Sequence, residues 1–149
     1  MRLTLFSDFG MRALMYLSQH QRDLPITISE IAGQFDVPRN HLVKVVNRLV
    51  KLGFVTAVRG RNGGLRLTQS ASALRLGDVL RGLEGNTELV DCNTPPCVLR
   101  GRCLLSGALH AGLSAFYNTM DEFTLADVCV NPTGQAIVTL HRHYLDRPT

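Results

Sequence analysis

No apolar leader, no Walker-type Gly-Lys-Ser/Thr and no Cys-x-x-Cys pair occurs in the 149 residues. Asp8 interrupts any apolar run after Met1, so the hydrophobic region of an export signal is missing and a cytoplasmic protein is expected. Without the Walker lysine, the glycine-rich stretch 60–64 is no phosphate-cradling nucleotide loop. Without paired Cys-x-x-Cys spacing, a zinc ribbon is disfavoured. Charge is sparse: 19% of residues are charged against 45% hydrophobic, a balance that excludes a disordered tail protein and can fill the core of a single domain. It is sparsest in the 18 residues from Cys103 to Met120, which hold no Asp, Glu, Lys or Arg. That length approaches a membrane span. Ser106, His110, Ser114 and Asn118, however, recur every fourth residue and lay a polar stripe along one helical face, which excludes a span.

The charge that is present is unevenly placed. Residues 1–70 carry 10 Lys+Arg against 4 Asp+Glu, whereas residues 71–149 carry 6 against 8, so the first half is the one suited to an anionic partner. Ser7 to His20 has the spacing of a helix, with Ser7 placed to cap it and Asp8 in its first turn. Thr27-Ile28-Ser29-Glu30 is a capping-box pattern and predicts a short helix from Ile28 to Phe35. Pro38 is well placed to start the next helix, Arg39 to Leu52, with Leu42, Val45, Val46 and Leu49 as its buried stripe. Arg39, Asn40, Lys44, Asn47 and Arg48 belong to its polar side. Such a face serves equally as solvated surface, but two short helices joined by a tight turn are how a recognition helix is presented. Asn pairs with adenine, and Lys or Arg with guanine or phosphate. Gly53 then ends the helix, and Phe54–Val58 and Leu65–Thr68 read as strands around the turn Arg59-Gly60-Arg61-Asn62-Gly63-Gly64. A basic hairpin in that position is a wing, with Arg59 and Arg61 placed for a minor groove or phosphate. The predicted class is therefore mainly α with a small β-hairpin. It comprises a winged helix-turn-helix over 1–75, a region 76–130 with a cysteine loop (85–103) and a long dimerisation helix (103–120), and a poorly packed tail over 131–149.

Cys92, Cys97 and Cys103 fall within twelve residues. Three thiols so close in a protein expected to be cytoplasmic are read as ligands of a soft metal centre, an iron–sulfur cluster first and zinc second, rather than as disulfides. Unliganded thiols in a flexible loop are the bland alternative. Pro95 and Pro96 stiffen the loop, and Arg100 and Arg102 can offset thiolate charge. A cluster would lack one ligand, and spacing does not choose among Asp8, Asp91, His110 and Cys129; Cys129 reads as a small buried hydrophobe. In the uncharged helix, Ala108, Ala111, Gly112 and Ala115 allow close approach, while Leu105, Leu109 and Phe116 supply apolar area. That pattern describes a dimer seam, or else a helix buried within one subunit.

Several segments resemble the NsrR family of nitric-oxide-sensing iron–sulfur repressors, winged-helix proteins grouped with IscR. They are Met1-Arg2-Leu3-Thr4 with Asp8, Val58-Arg59-Gly60, Asn62-Gly63-Gly64, Leu89-Val90-Asp91-Cys92 and Thr124-Leu125-Ala126-Asp127, within about residues 1–130. The resemblance implies a homodimer on a palindromic double-stranded DNA operator, with one 4Fe–4S cluster per subunit (2Fe–2S being the alternative). It implies Cys92, Cys97 and Cys103 as ligands, with Asp8 supplied by the other subunit, and derepression of nitric oxide stress genes on nitrosylation. IscR-like proteins carry a His three or four residues after the last Cys, where this chain has Ser106 and Gly107. The readings that remain open beside it are a small iron–sulfur redox protein with a basic docking face and a zinc-stapled DNA binder; no reading makes the chain an enzyme.

Overall fold

The computed structural model describes residues 2–19, 22–58, 60, 63–85 and 88–146. Helix α1 (Leu5–Ser18) runs through the centre of the molecule, with Ala13, Leu14, Tyr16 and Leu17 in the main core. Its cap is Thr4, whose hydroxyl accepts the Ser7 N–H, and not Ser7 as the spacing had indicated. Ser7 is instead fully buried, in the first turn of the helix. Thr4 is favoured as the cap because Glu84 accepts both its N–H (2.9 Å) and its hydroxyl (3.1 Å), a contact 80 residues away that no local pattern reveals.

Helix α2 (Ile28–Phe35) starts at Thr27, whose side chain accepts the Glu30 N–H as a cap should. The other half of the capping box is not made. The Glu30 side chain is fully buried, and its carboxylate accepts the Tyr16 hydroxyl (2.7 Å) and an Arg22 nitrogen that reaches both oxygens (2.6 Å). Asp36 closes α2 with a left-handed backbone (φ 51°), and α3 (Arg39–Lys51) follows, with Pro38 one position before its first turn. Its stripe of Leu42, Val45, Val46 and Leu49 is buried as expected. Strands β1 (Val55–Val58) and β2 (Gly64–Leu67) pair antiparallel, Val55 opposite Leu67 and Val58 opposite Gly64. The architecture is thus mainly helical with a two-stranded hairpin.

Beyond the hairpin, a single 3-10 turn leads to α4 (Leu76–Glu84), which packs against α1, α3 and α5 (Leu104–Asp121). Gly77 lets α4 and α5 approach closely, because a Cβ there would run into Asp121 and the Tyr117 carbonyl. The two helices are stapled by Arg81, which forks onto both Asp121 oxygens (2.8 and 2.6 Å) and lies 4.9 Å over the Tyr117 ring. Only Leu113 and Tyr117 of α5 are buried, in a small satellite cluster with Leu80. Helix α6 (Leu125–Val128) has a complete capping box between Thr124 and Asp127. Residues 131–146, expected to be part of a poorly packed tail, instead fold into α7 (Thr133–Leu145), which buries Ile137 and His141 against the main body. The spacing of Ile137 and His141, i and i+4, is a helical signal, but Asn131-Pro132-Thr133-Gly134 reads locally as a breaker. No helix among the described residues is long and apolar enough to cross a membrane.

Both ion pairs have measurable consequences. Arg22→Ala leaves a buried carboxylate uncompensated and should cost about 3–5 kcal/mol in urea unfolding. The Arg81 hydrogen bonds hold the Asp121 carboxyl below its ordinary value, so its stabilising effect is present above about pH 4 and is lost as the pH falls through the depressed value. The difference in unfolding midpoint between wild type and Asp121→Asn, clear at neutral pH, should therefore vanish in acid.

Candidate nucleic-acid interface and cysteine loop

The α2–turn–α3 unit presents one polar face. Arg39, Asn40, Lys44, Asn47 and Arg48 are all exposed on α3, as is His41, which spacing alone does not single out. Two of the six are tied down. Arg39 Nε donates to Ser29 Oγ (3.0 Å) at the start of α2, and Arg48 Nε donates to the Gly82 carbonyl of α4 (3.0 Å). A guanidinium has five N–H donors, so either arginine keeps donors for a phosphate or base. Asn40, Asn47 and Lys44 are exposed. His41 and Lys44 also line a shallow cavity of about 220 Å³ with Leu5, Phe6 and Phe9 of α1. The hairpin stands beside this unit, with Arg66 exposed opposite Thr56. Arg59 and Arg61, the wing arginines, lie outside the described residues. Between the wing and the start of α2 lies a groove of about 310 Å³ lined in part by Ser29, Arg39 and Gly60.

The cysteine loop hangs from the start of α5. Cys103 immediately precedes Leu104, the first residue of that helix. Asp91 Oδ1 accepts the N–H groups of Asn93 (2.7 Å) and Thr94 (3.2 Å), so its carboxylate shapes the turn that presents Cys92. The Cys97 N–H then donates to the Cys92 carbonyl (3.1 Å), and the Arg100 N–H to the Cys97 carbonyl (3.1 Å). Cys92 and Cys103 are half-buried and bound a shared cavity of about 360 Å³ with Arg100, Arg102 and Ser106. Cys97 is exposed and outside that lining. The donor chemistry suits a soft metal centre, three thiols with two guanidinium groups able to balance their charge. The loop is not closed around one: among the described residues no three His, Cys, Asp or Glu side chains are gathered at metal-holding distance.

The four candidates for a further ligand separate. Cys129 is buried in the main core, remote in role from the loop, and burial pushes its thiol up, against the thiolate that a metal requires. Asp91 is engaged in the turn. His110 is exposed on α5 and borders a second cavity of about 430 Å³ with Cys92, Arg100 and Ser106. Asp8 lines neither cavity; it forks onto Arg12 (3.0 and 2.7 Å) with its side chain 38% exposed.

The α5 residues expected to form a seam are largely uncovered. Leu105 is 65% exposed, Ala108 and Gly112 are exposed, and Leu109 and Phe116 are half-buried. Leu104 is 91% exposed and Val98, in the adjoining loop, 98%. Burial of this helix within one subunit is therefore not what is found.

Residues 3–131 match the Rrf2 family model, described as an iron-dependent transcriptional regulator. Among solved structures, CymR, the global cysteine regulator of B. subtilis, superposes with a TM-score of 0.69 at 24% identity, over 86% of this chain and 95% of that one. IscR of T. potens gives 0.68 at 23% identity over 86% and 85%. The oxidized form of Staphylococcus aureus CymR gives 0.64 at 23% over 84% and 93%. At these identities the likenesses establish the fold, a winged helix with a long helix behind it. If Lys44 contacts a phosphate, Lys44→Ala should lower the slope of log K against log salt by about one for duplex DNA, with affinity falling alike across sequences.

Proposed function

The chain belongs to the Rrf2 family of transcriptional regulators, and on that premise we propose that it is a homodimeric repressor whose grip on a palindromic operator depends on an iron–sulfur cluster and is released by nitric oxide. Rrf2 members are DNA-binding regulators and not enzymes, and the exposed faces of α3 and the wing are the DNA-reading surface. The observation that carries the sensing part is the cysteine loop: three free thiols, two of them bounding one cavity beside two arginines.

Cys92, Cys97 and Cys103 would hold the cluster, of 4Fe–4S type or else 2Fe–2S, with the carboxylate of Asp8 from the other subunit as fourth ligand. The cluster, when bound, supplies the centre that reacts with nitric oxide. The protein's own residues do the rest. Arg100 and Arg102 offset the thiolate charge. Asp8 is exposed enough to leave Arg12 for a new partner, and an oxygen donor among sulfurs is a hard, exchangeable ligand on a soft centre. Each subunit's α1 would then be tied to the other's loop, so loss of ligation removes a bridge between reading heads. Across the seam, Leu105, Ala108, Leu109, Gly112 and Phe116 would bury their exposed apolar surface, and a two-fold dimer presents two α3 helices to two half-sites. The proposed location is the cytoplasm, where the operator DNA is.

Anaerobic isolation with iron and sulfide counts tests the reading, followed by titration with nitric oxide while absorbance and binding to a duplex selected from a random pool are tracked. Coloured, iron-loaded protein that loses the duplex as absorbance changes is the expected result. Pale, iron-free protein that still binds the duplex and ignores the gas overturns it; bound zinc would favour the stapled binder, and reversible redox cycling without sequence preference the electron-transfer protein. Asp8→Ala should bleach faster than wild type, and an unchanged spectrum and stability would remove Asp8 from the ligand set.

A further inference from the structure

The family match ends at residue 131, and the chain continues into α7. That helix does more than cover apolar surface. The His141 ring stacks on Tyr16 of α1 (centroids 3.8 Å apart, planes at 22°), and its Nε2 lies 3.0 Å from the Tyr16 carbonyl oxygen. Its Nδ1 faces Glu30 Oε1 at 4.0 Å. One turn along, the Tyr144 ring lies under the Arg22 guanidinium at 5.4 Å. Thus α7 closes one side of the buried Arg22–Glu30–Tyr16 group and touches both charged members. The start of α7 is anchored as well. Gly134 packs on the Cys129 carbonyl, which also accepts Gln19 Nε2 from the end of α1 (3.2 Å).

Glu30 sits in the first turn of α2, the helix against which α3 rests. We propose that α7 is a positioning element for DNA reading, in which His141 and Tyr144 hold the Arg22–Glu30 pair and thereby set the angle of α2 and of the recognition helix it supports. The effect is one of preorganisation. Excluding water strengthens a buried, fully satisfied ion pair and holds it to one geometry. Without His141 and Tyr144 the pair is open to water from one side, and α2 gains freedom that DNA binding must then remove. Affinity weakens although every side chain that touches DNA is still in place. Only DNA binding is at issue, whether or not the cysteine loop holds a cluster, so this role of α7 stands or falls separately from the sensing reading.

The test uses the full-length protein and a duplex selected by the wild type from a random pool, at a temperature where every variant is folded. His141→Leu should bind roughly five- to tenfold more weakly, the range of a modest coupling between sites, with the salt slope unchanged because the same phosphates are still neutralised. His141→Gln, which keeps an N–H for the Tyr16 carbonyl, should recover most of the affinity. Ile137→Val, a buried change on the same helix that leaves His141 and Tyr144 in place, should lower stability and leave the Kd where it was. Wild-type affinity in His141→Leu overturns the proposal. So does an equal loss in Ile137→Val, which would make α7 a matter of stability only, and so does a salt slope reduced by about one, which would make His141 itself a DNA contact. If His141→Leu does not fold, Tyr144→Leu replaces it through its hold on Arg22: a weaker Kd at constant slope supports the proposal, and a native Kd ends it.

Discussion

A carboxylate with no exposed side-chain surface has to find its counter-charge inside the protein, and Glu30 finds it in Arg22. The requirement organises the end of the molecule where α1, α2 and α7 meet. Arg22 comes from the link between α1 and α2, the Tyr16 hydroxyl from α1, and the His141 ring from α7, so four stretches of chain are held at one point. The same burial and the Glu30 hydrogen bond push the Tyr16 phenol well above its ordinary value, so it remains a hydroxyl donor at any physiological pH. Satisfying a buried charge in this way is directional, which apolar packing is not; it fixes how α2 lies on α1 as well as that it lies there.

The opposite end of the molecule is built on the reverse plan. Helix α5 touches the body chiefly through α4, by way of Gly77 and the Arg81–Asp121 fork, and leaves a nearly uncharged surface open. The cysteine loop continues from it, shaped by Asp91 and a chain of turns rather than by a core. That open end is the one that the proposed dimer would complete. Helix α4 is the physical connection between the ends: it meets α5 on one side, and its Gly82 carbonyl receives Arg48 of the recognition helix. A change on the open face of α5 thus has a short, packed route to α3.

Much of this was legible from residue order because the signals are local. The stripe Leu42, Val45, Val46, Leu49 needs only the helical period, the Thr27 cap only its neighbour three residues on, and the hairpin only β-branched residues about a glycine-rich turn. The cysteine spacing marked out the loop that precedes α5. What escaped were roles assigned by distant partners. Ser7 and Thr4 are both good caps locally, and Glu84 selects Thr4. Glu30 has the right position to complete a capping box, yet Arg22 and Tyr16 hold it in the core.

Sequence by itself therefore determined the element types, the polar face of α3, the two-stranded hairpin and the spacing of the three thiols, since each depends on interactions within a few residues or on side-chain chemistry alone. Tertiary structure decided the rest: that Arg39 and Arg48 are tethered, that α5 is left uncovered, that Cys92 and Cys103 share a cavity which Cys97 does not line, and that residues 133–145 form a helix. The physical reason is that burial and ion pairing are settled between segments far apart in the chain, as His141 and Tyr16 are at a separation of 125 residues.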